Sequence, residues 1–219
     1  MIKSVKNSLS LRLRQNKILM LILLVAFLFR FIGLTPNIDH PDEGYVQIKS
    51  WDLVKNIVIS FDFDPHSFKY GTLFFYLQSL VYFPILYVTY FLSNVNIFFS
   101  SSFSSQGLDF TSFHTEAIRK FSELLTLVCR AEVALFGFLI VLVIYLIGKK
   151  LFNKNVGLLA ALFLAISPLH VRDSHYITTD VPMVFCILLA LFFIIKLREE
   201  NKLKWIKPIS EVSFCNSLI

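Results

Sequence analysis

The hydrophobic positions of this 219-residue chain gather into long runs instead of alternating with polar ones. That pattern is expected where lipid replaces water around the outer faces of helices. Four runs read as spanning helices: Ile18 to Leu34, Leu124 to Ile147, Val156 to about Leu169, and Val181 to Ile195. The third has about fourteen apolar residues, which at about 1.5 Å each fall short of a hydrocarbon core of about 30 Å. It is therefore expected to continue down into Phe152 or to open into a wet cavity above. A fifth run, Leu73 to Phe99, carries Pro84 in its middle and Gln78, Ser79, Thr89 and Ser93 along it. This predicts an interfacial or re-entrant pair of helices, with a double crossing as the alternative. After Glu43, the apolar positions Tyr45, Ile48, Trp51, Val54 and Val58 recur at helical spacing and predict an amphipathic helix on the membrane surface. Ser100 to Ser105 reads as a flexible connector, and Thr115 to Glu123 as a wet lead-in to the next span.

Composition agrees with the runs: 56% of residues are apolar and only 16% charged, and the mean hydropathy is +0.67. An ordinary soluble domain is excluded. The net charge of +6 does not point to nucleic acid, because the Lys and Arg residues flank the apolar runs and so report topology. Lys3, Lys6, Arg12, Arg14 and Lys17 precede the first run, and Phe29-Arg30-Phe31 stands where a signal peptide would have small residues for cleavage. The run reads as an uncleaved anchor with a cytoplasmic N-terminus. The clusters Lys149, Lys150, Lys154 and Lys196, Arg198, Lys202, Lys204, Lys207 belong on the same side, which requires that Leu73 to Phe99 not cross once. Cys129, Cys186 and Cys215 are scattered and say nothing about redox compartment.

The expected architecture is all-α, a polytopic transmembrane helical bundle with interfacial or re-entrant helices in its first outer loop. A cytoplasmic tail covers 1–17, and the membrane module covers 18–198, with helices near 18–34, 124–147, 152–169 and 181–197. Its outer loop, 35–122, carries the membrane-surface helices. A cytoplasmic end covers 199–219; its last residues, Ser210 to Ile219, resume no periodic pattern and read as a truncated or frameshifted reading frame.

Two polar clusters fall on the outer side. The first is Asp39, His40, Asp42 and Glu43, within ten residues of helix one. A carboxylate between apolar walls and a neighbouring carboxylate would have a raised proton affinity and could take a proton from an attacking hydroxyl. The alternative is structural: Asp39 caps a helix with Pro41 in its first turn, and Asp42 and Glu43 face its positive end. A metal held by Asp39, His40, Asp42 and His66 is a further alternative, although no tight ligand spacing is present and no cofactor is otherwise called for. The second cluster runs from Pro168 to Asp180; its His170, Arg172 and His175 could bind a phosphate or pyrophosphate. Asp180 could equally cap helix four, with Pro182 following. Arg30, Arg130 and Glu132 lie in apolar surroundings and must snorkel, pair or line a cavity. For Arg130 the choice is between a structural pair, with Glu132 or with another helix, and an anionic head group.

Asp42-Glu43, Lys69-Tyr70, Arg130, Gly157-Leu158-Leu159-Ala160-Ala161, Ser167-Pro168-Leu169-His170 and Asp180, in that order, together resemble the dolichyl-phosphate-mannose protein mannosyltransferase-like superfamily. This superfamily belongs to the GT-C glycosyltransferases, along with lipopolysaccharide core and aminoarabinose transferases. The resemblance implies inverting transfer of a sugar from a polyprenyl phosphate carrier (dolichyl or undecaprenyl) to a protein or lipid/glycan acceptor on the outer or luminal face. It implies Asp42 as general base, with Glu43 supporting the site. It also implies that Arg130 and the Arg172–His175 segment hold the lipid phosphate, with Lys69, His170 and Asp180 as further binding positions. Gly71-Thr72 departs from the Pro-Pro pair common in the family. Partners are then the lipid-linked sugar, the acceptor and membrane lipids, and no nucleic acid. The expected place is a prokaryotic plasma membrane, spanned several times, with the active-site loops outside. Two rival readings remain, an inactive truncated fragment and a transporter subunit whose Arg30, Arg130 and Asp180 line a pathway.

Overall fold

A computed structural model describes residues 2–34, 40–67, 69–99 and 110–199. The described residues form seven helices and no strand: α1 (Ile2–Phe31), α2 (Glu43–Ser60), α3 (Thr72–Phe99), α4 (Phe110–Leu151), α5 (Lys154–Ile166), α6 (Pro168–Asp173) and α7 (Asp180–Glu199). Two stretches, Glu123–Leu151 within α4 and Asp180–Arg198 of α7, are long and apolar enough to cross a bilayer. The chain is an all-α bundle of an integral membrane protein.

α4 is the central post, with α1, α3, α5 and α7 packed along it. It turns back on α5 through Phe152 and Asn153, and the Asn153 side chain caps α5 by accepting from the amides of Asn155 and Val156. The two helices come close enough there that a Cβ on Gly157 would stand 2.7 Å from the Tyr145 carbonyl oxygen. Ile22 and Ala26 of α1 share a core with Val141, Tyr145, Leu158 and Ala161. A second core joins Val46, Trp51, Leu53 and Val54 of α2 to Phe74, Phe75 and Tyr82 of α3 and to Cys129 and Val133 of α4.

Several elements differ from the sequence reading. Part of the apolar face of α2 is turned into this second core, with Val46, Trp51, Leu53 and Val54 buried, while Ile48 and Val58 stay exposed. Leu73 to Phe99 is one helix running through Pro84 and not a pair. The expected helix 152–169 is divided, because Asn153 caps α5 at one end and the residue before Pro168 is forced out of helix at the other; Ser167 has ψ 115°. α4 begins at Phe110, so the stretch read as a lead-in is helical. The Ser100 to Ser105 connector, the cluster member Asp39, the basic residues Lys202, Lys204 and Lys207, and the terminus from 200 to 219 lie outside the described residues.

Candidate functional site

The polar residues collect at one end of the bundle, where α1 ends, α5 gives way to α6, α7 starts, and the turn before α2 meets α4. Glu43, the first residue of α2, is buried there, and its carboxylate takes a two-point contact from Arg130. Arg130 Nε donates to Oε1 at 2.9 Å and Nη2 to Oε2 at 2.7 Å. The backbone amides of Ile177 (2.8 Å) and His40 (3.0 Å) complete its shell. Burial pushes the Glu43 carboxyl up, but the Arg130 guanidinium and these two amides outweigh it and hold the group below the usual carboxylate range. One residue thus ties the turn before α2 to the middle of α4 and to the segment ahead of α7. Arg130 also lies over the Tyr176 ring at 5.8 Å, and the opposite partner of that ring is His40, at 5.3 Å.

Asp42 behaves differently from its neighbour. It occupies the N-cap position of α2, yet its side chain makes no capping hydrogen bond. It leaves the helix end and is partly exposed, with Oδ1 accepting from the Tyr70 hydroxyl at 2.5 Å and Lys69 Nζ standing 3.8 Å away. Lys69 itself lies over the Tyr45 and Tyr70 rings, 4.9 and 5.0 Å from their centroids. Tyr70 is followed by Gly71, which with Leu73, Phe74 and Leu77 of α3 and Thr179, Pro182, Met183, Cys186 and Ile187 of the α7 side lines an apolar groove of about 210 Å³.

The phosphate-binding candidates divide. Arg130 is held by Glu43, and the pair is shut away from solvent. His170 takes a hydrogen bond on Nδ1 from Arg30 at 2.8 Å, and burial, helped by Arg30, pulls its pKa down to about 4. Burial likewise lowers His175, whose ring is bonded to the backbone of Phe29 and Arg30. Both imidazoles are half-buried and engaged by the protein's own groups, His170 by the Arg30 side chain and His175 by the backbone of Phe29 and Arg30. Arg172 is exposed but paired with Asp173 at 2.8 Å. Lys69 is the exposed cation that stands beside Asp42. Asp180 is exposed as the first residue of α7, where a negative charge favours the helix start.

Arg30 is fully buried, and its guanidinium caps the end of α5 by donating to the carbonyls of Leu164 (3.1 Å) and Ala165 (3.3 Å) as well as to Ala26 of its own helix (3.1 Å). Pro168 has no N–H to give the Leu164 carbonyl, which takes only a 3.4 Å bond from the Ser167 amide beside its bond from Arg30. Glu132 accepts from Gln78 of α3 at 2.8 Å, so its partner is an amide and not Arg130. Of the residues in the metal alternative, Asp39 lies outside the described residues, and His66 bonds Asp62 at 2.7 Å. The sequence reading assigned no role to Tyr70 and no partner to Arg30. A charge inside an apolar helix already demanded such a partner, and the lost carbonyl partners ahead of Pro168 were the signal for where Arg30 goes.

Residues 116–214, just under half of the chain, match the family model described as dolichyl-phosphate-mannose-protein mannosyltransferase. The match takes in Arg130 and the whole His170 to Asp180 segment, and begins after Asp42, Glu43 and Lys69. Neither a curated protein nor a solved structure matches the chain.

Proposed function

We propose, from the premise that residues 116–214 are those of a GT-C, mannosyltransferase-like glycosyltransferase, that this chain takes part in transfer of a sugar from a polyprenyl phosphate carrier to an acceptor hydroxyl or amine. The observation that carries the reading is Asp42: a carboxylate at a helix N-cap that does not cap, standing partly exposed beside Lys69. A buried or capping Asp42 would have supported the structural alternative.

In this reading the groove between α3 and α7 receives the isoprenoid chain, since its lining is almost wholly apolar and fits no polar substrate. Lys69 faces the phosphate, as an exposed ammonium two residues before Gly71, which lines the groove. Asp42 takes the acceptor's proton as the acceptor oxygen or nitrogen bonds to the sugar's anomeric carbon. The bond from that carbon to the phosphate oxygen breaks, its electron pair leaves with the lipid phosphate, and the anomeric configuration inverts. Glu43, locked on Arg130, positions the Asp42 turn and does not touch substrate.

The basic residues gather at the end of the bundle opposite this site: Lys149 and Lys150 close α4, Lys154 opens α5, and Lys196 and Arg198 close α7. Positive flanks stay in the cytoplasm, so the account puts the N-terminus inside, the membrane crossed several times, and Asp42 on the outer face. Reconstitution with radiolabelled polyprenyl-phosphate hexose tests this. Label should pass to an acceptor supplied on the Asp42 side; sugar movement across the vesicle wall with no transfer would replace the enzyme by a transporter.

A further inference from the structure

The two oxygens of Asp42 have unequal surroundings. Oδ1 takes the Tyr70 hydroxyl at 2.5 Å and faces Lys69 at 3.8 Å. Oδ2 has His40 Nδ1 at 3.9 Å, too far for a hydrogen bond. That nitrogen already accepts the Asp42 backbone amide at 3.3 Å, so it carries no proton to give. Among the described residues, Oδ2 is therefore left with no donor.

Tyr70 is itself held in place. Its ring meets Tyr45 edge to face, with centroids 5.6 Å apart, and the Tyr45 hydroxyl is bonded to Ser67 at 2.7 Å. Lys69 lies over both rings, which fixes the pair further. The phenol is kept protonated: its hydrogen bond to Asp42 raises its pKa above the ordinary tyrosine value, against a smaller opposing pull from Lys69. A rigid, protonated phenol on one oxygen of a carboxylate fixes the rotation of that carboxylate and leaves its other oxygen to do chemistry.

We infer that Tyr70 is a positioning residue for the transfer, holding Asp42 through Oδ1 so that Oδ2 alone receives the acceptor's proton. The inference rests on Asp42 being the base of the proposed reaction. As the acceptor atom bonds to the anomeric carbon, its proton passes to Oδ2 while the leaving phosphate keeps the electron pair of the broken bond. Tyr70 gives up no proton in the step.

Tyr70→Phe removes the hydroxyl and keeps the ring between Tyr45 and Lys69, so folding is preserved. Loss of the hydroxyl frees the Asp42 carboxylate to rotate and should therefore lower kcat about tenfold, with KM for polyprenyl-phosphate hexose little changed. An unchanged kcat, or a loss carried by KM instead, overturns the inference while leaving transfer by this chain intact. Ultraviolet titration of the phenols, with Tyr70→Phe as the blank, measures the contact independently of any transfer. Replacing Asp42 by Asn should lower the pH at which Tyr70 ionises, and an unchanged ionisation overturns the contact itself. Absence of transfer by the wild type, with the Tyr70 ionisation still answering to Asp42→Asn, would fault the proposed reaction and withdraw the positioning role with it.

Discussion

Glu43 and Arg130, far apart in sequence, meet in a buried two-point ion pair of 2.7 and 2.9 Å, and this pair sets the turn that carries Asp42 against the middle of α4. Two charges so shut away are held by mutual attraction and by the amides of His40 and Ile177. Removing one leaves the other buried and unpaired.

The Glu43→Gln and Arg130→Met variants should each lose about 3–5 kcal/mol of stability, read as thermal unfolding in detergent. The double variant should lose less than the sum of the two, because it strands no charge. The pair also gives an acid dependence. Glu43 is held below its ordinary value in the folded chain, so its contribution is present above about pH 4.5 and disappears as the pH falls through the folded value. Additive losses in the double variant would show that the two residues act separately.

His170 sets a second window. Its folded value of about 4 lies below the ordinary 6.5, so between those values the native protein holds fewer protons than the unfolded chain, and stability falls as pH drops. The full difference is on the order of 3 kcal/mol. His170→Asn keeps an acceptor for Arg30 without a titrating group, and its unfolding free energy should be flatter from pH 6.5 to 4 than that of the wild type. Parallel curves for the two proteins would show that His170 is not the group responsible.

The close approach of α4 and α5 depends on glycine. A Cβ at Gly157 would meet backbone, 2.7 Å from the Tyr145 oxygen and 2.8 Å from the Lys149 nitrogen, and neither atom can swing aside. Gly157→Ala should therefore lower stability by about 1–3 kcal/mol, the usual cost of forced overpacking. Gly44→Ala, where the added carbon meets nothing within 4 Å, serves as the control in the same unfolding assay.

How much of this was legible in the sequence follows from which forces decide each feature. The apolar runs announced helices because periodicity and run length are local properties, and the family resemblance agrees with the match over residues 116–214. The break at Ser167 was written in Pro168, yet the sequence reading carried the helix through it. Pro84 shows the opposite case: a proline can remain inside a helix when packing holds the helix on both sides of it, and no local rule tells the two prolines apart. In the site, Asp42 and Glu43 are adjacent and chemically alike, and only the third dimension separates them. Arg130 reaches one, and Tyr70 the other. The same long-range contact gives Arg130 a carboxylate partner from another helix. Arg30 likewise reaches His170, a contact that their sequence surroundings did not announce.

Cys186 offers a probe of the groove. It lines the space between α3 and α7 and is exposed, whereas Cys129 is buried. In a Cys215→Ser background, maleimide labelling of Cys186 should slow several-fold when polyprenyl phosphate is added to the detergent, and should not respond to inorganic phosphate. Labelling indifferent to the lipid would remove the groove from the donor path.

The account turns on Asp42, and a transfer assay on the Asp42→Asn protein tests it most directly. Polyprenyl-phosphate hexose, acceptor and reconstituted protein are mixed at saturating donor, and the product formed by wild type and variant is compared. Loss of one general base predicts a fall in kcat of about 10²–10⁴-fold, with unfolding behaviour and Cys186 protection by lipid unchanged. Equal product from the two proteins would contradict the account.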